Sequence, residues 1–375
     1  VNDLVFSSDG RTIISGGDDG RVLLWDSGTD SLRELAGHTG PVQAVDISAD
    51  GRRALSGGYG SASFRDPGQL ILWELPSGKE LLHFEDSKAG LVEAQFALDG
   101  TAVLASFGDA ELLTDLGRDR ERQELLVQTL LWDVVSGDVM TPITSIAHVA
   151  FSMAIAPDKQ QAVIGSYYDN IASVVDLRSG EVLEVLEGHQ DGVSTIKYTA
   201  DGSRVLTGSH DGSLILWDLV NAEAIFQFKV HQGEVTDLVV TPDGRTALSV
   251  SRNGELLRWD LNDAAELAHY DGHGDMVYDV AYLPDGSQFL SISGGSSPTL
   301  PSQDTSVRLW DVANEHQLRA KDLPLEVLFQ IDVTPDGKQA LIVGMAPMVI
   351  VLDAATLEQI GQLEGHQGWV TGVDI

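Results

Sequence analysis

Three residue types that together can activate a nucleophile recur along this sequence: a hydroxyl residue, a His and an Asp. One set is His273, Ser291 and Asp304. A second is His189, Thr207 and Asp211, and Ser15 with Asp19 forms a partial third. In a hydrolase the His would take the hydroxyl proton and the Asp would hold the imidazole tautomer. In a buried setting the same groups satisfy one another, because imidazole and hydroxyl groups removed from water need partners. Repetition separates the two readings. Catalysis needs one activated nucleophile, whereas several copies suit a structural role. No phosphate-binding loop, zincin helix, calcium-loop spacing or metal-suited His pair accompanies them. Catalytic residues, metals and cofactors are therefore expected to be none.

The elements that carry these residues are clearest in residues 188–218, GHQDGVSTIKYTADGSRVLTGSHDGSLILWD. Gly-His opens the stretch and Trp-Asp closes it. Three short apolar runs lie between, at Val193 to Tyr198, Val205 to Thr207 and Leu214 to Trp217. Asp201-Gly202 and Asp211-Gly212 separate them and are expected to supply the positive φ of tight turns. The stretch thus reads as three antiparallel strands, with a fourth after Trp-Asp.

The pattern recurs. The first turn appears at Asp9, Asp50, Asp99, Asp158, Asp201, Asp243, Asp285 and Asp336. The closing position falls at Trp25, Trp73, Trp132, Val175, Trp217, Trp259, Trp310 and Leu352. These are eight copies with a basal period of 42. A four-stranded unit of that length with Gly-His and Trp-Asp is the signature of a propeller blade.

On these motifs the chain resembles the WD-repeat β-propeller family along essentially its whole length. The resemblance implies an all-β fold: eight four-stranded antiparallel blades around a central channel, in one domain over residues 1–375. A lone blade cannot bury both faces, so blades must stack. The resemblance also implies a buried network in each blade, running from Trp nitrogen to Ser or Thr, then to His, then to the turn Asp. The candidates are His189, Thr207, Asp211 and Trp217; His273, Ser291, Asp304 and Trp310; His231, Ser249 and Trp259; His38, Ser56 and Trp73; and Ser15, Asp19 and Trp25. Asn253 stands where repeat 6 should have its Asp, and the repeat 2 turn is displaced by an insertion. Repeats 3, 4 and 8 lack the His, with Lys88, Ile146 and Pro324 aligned there. Repeats 4 and 8 also lose Trp and carry Ile164 and Ile342 at the hydroxyl position. They lose donors and acceptors together, which can be nearly neutral. These two blades are expected to be apolar-packed, without a special function.

Insertions mark one rim. Closing position to next turn is 25 or 26 residues throughout, but turn to closing position grows from 16 or 17 to 23, 33 and 25 in repeats 2, 3 and 7. The additions, Tyr59 to Gln69, roughly Asp109 to Gln123, and Gly294 to Gln303, all fall between second and third strands. That end also carries Gly-His and is called the top. One-sided insertions often mark a binding face. The repeat 3 addition reads as a short helix or a mobile loop, and GGSSPTLPSQ in repeat 7 as the most mobile segment. LEVLFQ at Leu325 to Gln330 looks like a protease tag but sits in register as the first strand of repeat 8.

The family usually binds partners on the top, around the channel. The residues at those positions are Asp18, Tyr59, Tyr167, Tyr168, His210, Arg252, Tyr278 and Trp369. Aromatics and Arg are common interface anchors. The competing reading is that the rings cover the channel mouth.

Composition bounds the partner. Lys plus Arg is 23 and Asp plus Glu is 57, a net charge of −34. Nucleic acid and anionic membranes are repelled by that field, while a basic protein or peptide is attracted. The absence of cysteine excludes disulfides and thiolate metal sites and is compatible with the cytoplasm. No apolar run reaches the length of a membrane helix. The leading expectation is a non-catalytic interaction scaffold or sensor domain, similar to the WD-repeat arrays appended to large signalling proteins such as STAND-type ATPases and protein kinases. The alternatives are an enzyme with a small-molecule site in the channel, and a self-assembly or propeller–propeller packing module.

The termini also read as repeat pieces. Val1 to Phe6 is a first strand without its Gly-His, and Gly365-His366 precedes Val370 to Ile375, another first strand. Residues 366–375 are expected to be surplus to eight blades, either displaced or opening a further blade in a longer protein.

Overall fold

The computed structural model describes residues 3–26, 31–61, 67–84, 90–108, 128–143, 150–166, 169–295, 304–325 and 327–367. They form eight four-stranded antiparallel sheets, each built from four consecutive strands. The blades span residues 3–35, 42–84, 91–142, 150–187, 193–229, 235–269, 276–322 and 328–364, numbered 1 to 8 below.

Blade 5 shows why the sequence takes this form. Its strands are Val193–Tyr198, Arg204–Ser209, Ser213–Asp218 and Glu223–Lys229. The two middle strands are buried almost throughout, while the outer strand is largely exposed or half-exposed. Middle strands are sandwiched between neighbouring blades, so both of their faces must be apolar and their runs are continuous rather than alternating. At the first turn the Asp201 carboxylate accepts from Ser203 N at 3.0 Å and from the Thr199 hydroxyl at 2.7 Å. Gly202 alone takes positive φ, at 70°. The expectation that the Asp-Gly pair jointly supplies positive φ is corrected here. The Asp serves as an acceptor that ties the turn, a role open to its short side chain.

Among the described residues, eight apolar clusters occupy the eight blade–blade interfaces. Val163, Val174 and Leu186 of blade 4 meet Val193, Val205, Ile215 and Trp217 of blade 5. Leu341, Val343 and Val349 of blade 8 meet Leu4, Phe6 and Ile13 of blade 1, and this last cluster closes the ring. Full burial of each such aliphatic is worth about 1.5–3 kcal/mol. Close approach depends on small residues in the second strands. A Cβ at Gly208 would lie 2.7 Å from Val235 of the next blade, and one at Gly57 2.6 Å from Leu91.

The inner strand of blade 1 is Asp3–Phe6. Its Gly-His comes from the far end of the chain: the His366 ring bonds Ser15 and Asp19. Val370 to Ile375, expected to form a surplus strand, lie outside the described residues, as do the main parts of the three insertions. The inner strand of blade 8 begins at Leu328, so only the last three residues of LEVLFQ are in it.

Candidate functional site

In blade 7 the second and third strands hold Ser291 and Trp310 in one layer, because Phe289 pairs opposite Trp310 two residues from Ser291. Trp310 Nε1 donates to Ser291 Oγ at 2.8 Å. His273 Nε2 lies 2.7 Å from the same oxygen, and His273 Nδ1 lies 3.0 Å from Asp304 Oδ2. A carboxylate only accepts, so Nδ1 carries the proton, Nε2 is the acceptor, and the Ser291 hydroxyl donates to it. Burial pushes Asp304 up, but bonds from His273 and Ser306 outweigh it and hold the carboxyl well below the usual range. Burial lowers His273, opposed by Asp304. The arrangement consumes every polar atom of Ser291. An Oγ saturated by an indole and an imidazole, under a buried ring, has no open side for an electrophile.

The other four sets vary on this theme. In blade 5 Trp217 Nε1 donates to Thr207 Oγ1 at 2.9 Å, and His189 Nε2 lies 2.7 Å from the same oxygen. His189 Nδ1 bonds Ser213 Oγ at 2.8 Å, while Asp211 stands 3.9 Å away. Asp211 instead accepts from Gln190 N and Ser213 N. The expected direct His–Asp link is therefore replaced in the template blade by Ser213, which reaches the ring first. In blade 6, Trp259 and His231 converge on Ser249 at 2.9 and 2.7 Å. Glu255 takes the role that Asn253 cannot: its Oε2 lies 3.1 Å from His231 Nδ1 and accepts from Gln232 N. A side chain one methylene longer, placed two residues later, reaches the same point. The signal for it was an acidic residue at the position of Ser213.

In blade 2, His38 and Trp73 each lie 2.7 Å from Ser56 Oγ, but among the described residues His38 Nδ1 has no partner. Gln69 accepts from Thr39 N in place of the turn Asp. Burial, then the His83 charge, hold His38 at about 4, and burial holds His189 at about 4 against the pull of Asp211. In blade 1, His366 Nε2 lies 2.8 Å from Ser15 Oγ and Nδ1 3.2 Å from Asp19 Oδ1. Burial raises Asp19, but bonds from His366 and Gln367 N bring it down to about 2. Trp25 does not join this set. It is half-buried, and its ring packs beside Gly365 and into the blade 8–blade 1 cluster.

Blades 8 and 4 are apolar at the matching places. Ile342 and Leu352 are fully buried, as are Ile164 and Val175 apart from a 2% exposure of Ile164. Blade 3 is the exception. Trp132 is kept, but Ala105 occupies the hydroxyl position, and Trp132 Nε1 is buried with no partner among the described residues. Its ring is packed by Phe84 at 5.7 Å and Phe107 at 5.5 Å. Lys88 and Ile146 lie outside the described residues.

The top candidates divide. Asp18 and Arg252 are exposed, and Arg252 Nη1 pairs with Glu234 at 2.5 Å. His210 is half-buried. Tyr278 is half-buried too; its OH donates to Gly295 O and its ring meets Phe329 edge-on at 6.0 Å. Tyr59 is 8% exposed, with its ring lying where a side chain at Gly90 would be. The expectation of an exposed Tyr59 is thus corrected: an amphipathic ring beside a glycine of the next blade gains more from packing than from solvent. Tyr167, Tyr168 and Trp369 lie outside the described residues.

The channel is lined by inner strands and opens as a cavity of about 630 Å³ with Asp3, Asp46, Glu93, Lys159 and Lys197 among its walls. Its polar side chains staple neighbouring blades. Asp3 accepts from Val45 N, Asp46 from Phe96 N and Asp279 from Ile331 N, at 2.8, 2.6 and 2.8 Å. Ser194 and Thr236 donate to carbonyls of the following blade. Burial, then the neighbouring Asp237, push Asp279 well above the usual carboxylate range. Among the described residues no group of three or more His, Cys, Asp or Glu side chains could hold a metal ion, and no helix is long and apolar enough to cross a membrane.

A family model described as "WD domain, G-beta repeat" matches residues 1–26, 29–66, 180–218, 222–260 and 265–311, about half of the chain. The chain is similar to cilia- and flagella-associated protein 52 of Bos taurus, 25% identical over 56% of this chain and 37% of that protein. It is 24% identical to a guanine nucleotide-binding protein subunit beta of Saccharomyces cerevisiae, over 58% of this chain and 56% of that protein. It is 34% identical to protein groucho of Drosophila melanogaster over 24% of this chain and 12% of that protein. The chain thus spans from about a third to just over half of the first two relatives.

Proposed function

The chain belongs to the WD-repeat family, and from that premise we propose that it is a non-catalytic scaffold or sensor domain binding a protein or peptide on its top face. The observation that carries the reading is the consumption of Ser291, Thr207, Ser249 and Ser56 by an indole and an imidazole each. What looked like repeated nucleophiles is buried hydrogen bonding, and the exposed chemistry is left to the rims. Several features favour the top. The second-to-third-strand connections that are lengthened in blades 2, 3 and 7 all emerge there, and Asp18 and Arg252 are exposed there. A relative named as a subunit is by that name part of an assembly. The net charge of −34 favours a basic partner over nucleic acid or an anionic membrane. A chain without cysteine suits the cytoplasm, and signalling through a larger protein is the role this reading gives the disc.

Affinity capture from the native host's lysate tests the face. Asp18→Arg combined with Arg252→Glu is expected to lose the captured partner. Val135→Ser combined with Val220→Ser, two residues 83% exposed on the opposite rim, is expected to keep it. Retention by the top variant together with loss by the opposite one would overturn the top-face reading.

A further inference from the structure

Each blade ends in an outer strand whose far edge pairs with no other strand among the described residues, and one of these edges differs from the rest. The outer strand of blade 4, Val182–Glu187, pairs only with Ile171–Asp176. Leu183 and Val185 are each 43% exposed. Exposed large aliphatics occur singly on the other outer strands, at Leu32, Leu81, Met140, Leu267, Leu318 and Ile360. Glu181, Glu184 and Glu187 surround the pair and are all exposed. Among the described residues no Lys or Arg forms an ion pair with any of the three, whereas Glu34 on the outer strand of blade 1 is held by Arg21. Register beyond the bulge at Leu183 is regular: Glu184, Val185, Leu186 and Glu187 lie opposite Val174, Ser173, Ala172 and Ile171.

An unpaired edge offers main-chain donors and acceptors in a row, which makes it a template for another strand. The outer strands of blades 1, 2, 5 and 7 carry charge of both signs, while those of blades 4, 6 and 8 carry Glu and no Lys or Arg, and among these only blade 4 adds two exposed aliphatics. Here the charge is of one sign, so it repels acidic chains, including another copy of this protein at −34, and favours a basic one. We propose that the outer edge of blade 4 binds an extended segment of a partner protein in which basic residues alternate with aliphatic ones, added as a fifth strand. The added strand pairs through its main chain with Glu184–Glu187. Its aliphatic side chains cover Leu183 and Val185, its basic side chains meet Glu184 on the opposite face, and Glu181 and Glu187 at the two ends of the segment add to the attraction for a basic chain. This surface lies on the side of the disc and is independent of the top face. It also gives a role to a blade that has lost the Trp and hydroxyl of the buried network.

The test is fluorescence anisotropy with the 375-residue chain and a labelled peptide alternating lysine and valine. Saturable binding is expected. Leu183→Ser with Val185→Ser should weaken it by about tenfold or more, and Glu184→Gln with Glu187→Gln should weaken it and flatten its salt dependence. The same peptide N-methylated at alternate amides should not bind, because strand addition needs its N–H groups. Ile360→Ser on the outer strand of blade 8 should leave binding unchanged. Equal binding of the N-methylated peptide, or equal loss with Ile360→Ser, overturns the proposal in favour of general charge attraction. A concentration-dependent dimer that Leu183→Ser dissolves overturns it in favour of a second copy as the occupant.

Discussion

Blades 7 and 8 are neighbours with the same four strands and opposite interiors. Blade 7 fills its centre with Trp310, Ser291, His273 and Asp304, all mutually bonded. Blade 8 puts Leu352 and Ile342 at the matching positions, with Leu323 and Leu325 buried beside them while Pro324, aligned with the His, is exposed, and it packs there by apolar contact. Both solutions are complete in themselves. Each polar atom of that four-residue set in blade 7 has its partner, and blade 8 has no polar side-chain atom at the matching strand positions to satisfy. A buried hydrogen bond adds little net stability over water, while an unmade one costs the full desolvation of the group. The fold therefore tolerates either full set and penalises a mixture. Blade 3 is the mixture, with Trp132 retained and its acceptor replaced by Ala105.

The contrast is broken most severely by planting one polar member in the apolar blade. Ile342→Ser removes a fully buried side chain and adds a hydroxyl with no partner, and is expected to cost about 4–6 kcal/mol. Urea denaturation would show it as a fall in midpoint or as loss of folded protein. The reverse break, Ser291→Ala, orphans Trp310 Nε1 and His273 Nε2 at once and should cost about 2–4 kcal/mol. A loss below that of a routine surface substitution would show that blade 7 does not depend on its network.

Acid separates a polar interior from an apolar one, and blade 5, which shares the Trp, hydroxyl and His of blade 7, supplies the titrating group. His189 titrates at about 4 because burial disfavours its charge. Its folded value lies below its unfolded one, so its contribution is complete above about pH 6.5 and is lost as pH falls towards 4. Replacing the imidazole by the neutral His189→Gln should recover about 2 kcal/mol of that acid loss near pH 4.5, read as a smaller drop in thermal midpoint between neutral and acid buffer. Blade 8 has no such group and should contribute none. The smallest effect sharpens the comparison. Ala105→Ser offers Trp132 the acceptor it lacks and is expected to raise stability by about 1 kcal/mol. No gain, with Trp132 still unbonded, would place the defect in the backbone of blade 3 rather than in its side chains.

Much of the fold was legible because its determinants are local. Asp201 and Gly202 specify a turn whatever surrounds them, and the same pair at Asp9, Asp50, Asp243 and Asp285 repeats the instruction. Continuous apolar runs ending in Trp-Asp then count the blades. The site was less legible where a contact joins residues that no fixed spacing connects. Glu255 serves His231 from the wrong position for a turn acid, and Gln69 substitutes for an Asp displaced by an insertion. Tyr59 has the composition of an interface anchor, but its burial depends on Gly90 in the next blade.

The sequence by itself determined the number of blades, their strand order, the decorated rim and which interiors are polar. Those properties follow from periodicity and residue type, which act within a few residues. Only the tertiary structure decided how the ring closes. Ser15 receives its His from position 366, and Arg21 donates to Gly365 O, across almost the whole chain. Eight blades at the packing distance of their interfaces bring the last repeat beside the first, and no local pattern encodes that juxtaposition. The same holds for the outer edge of blade 4. Leu183 and Val185 read in the sequence as two more apolar residues of a strand, and only the three-dimensional structure shows that, among the described residues, no neighbour covers them.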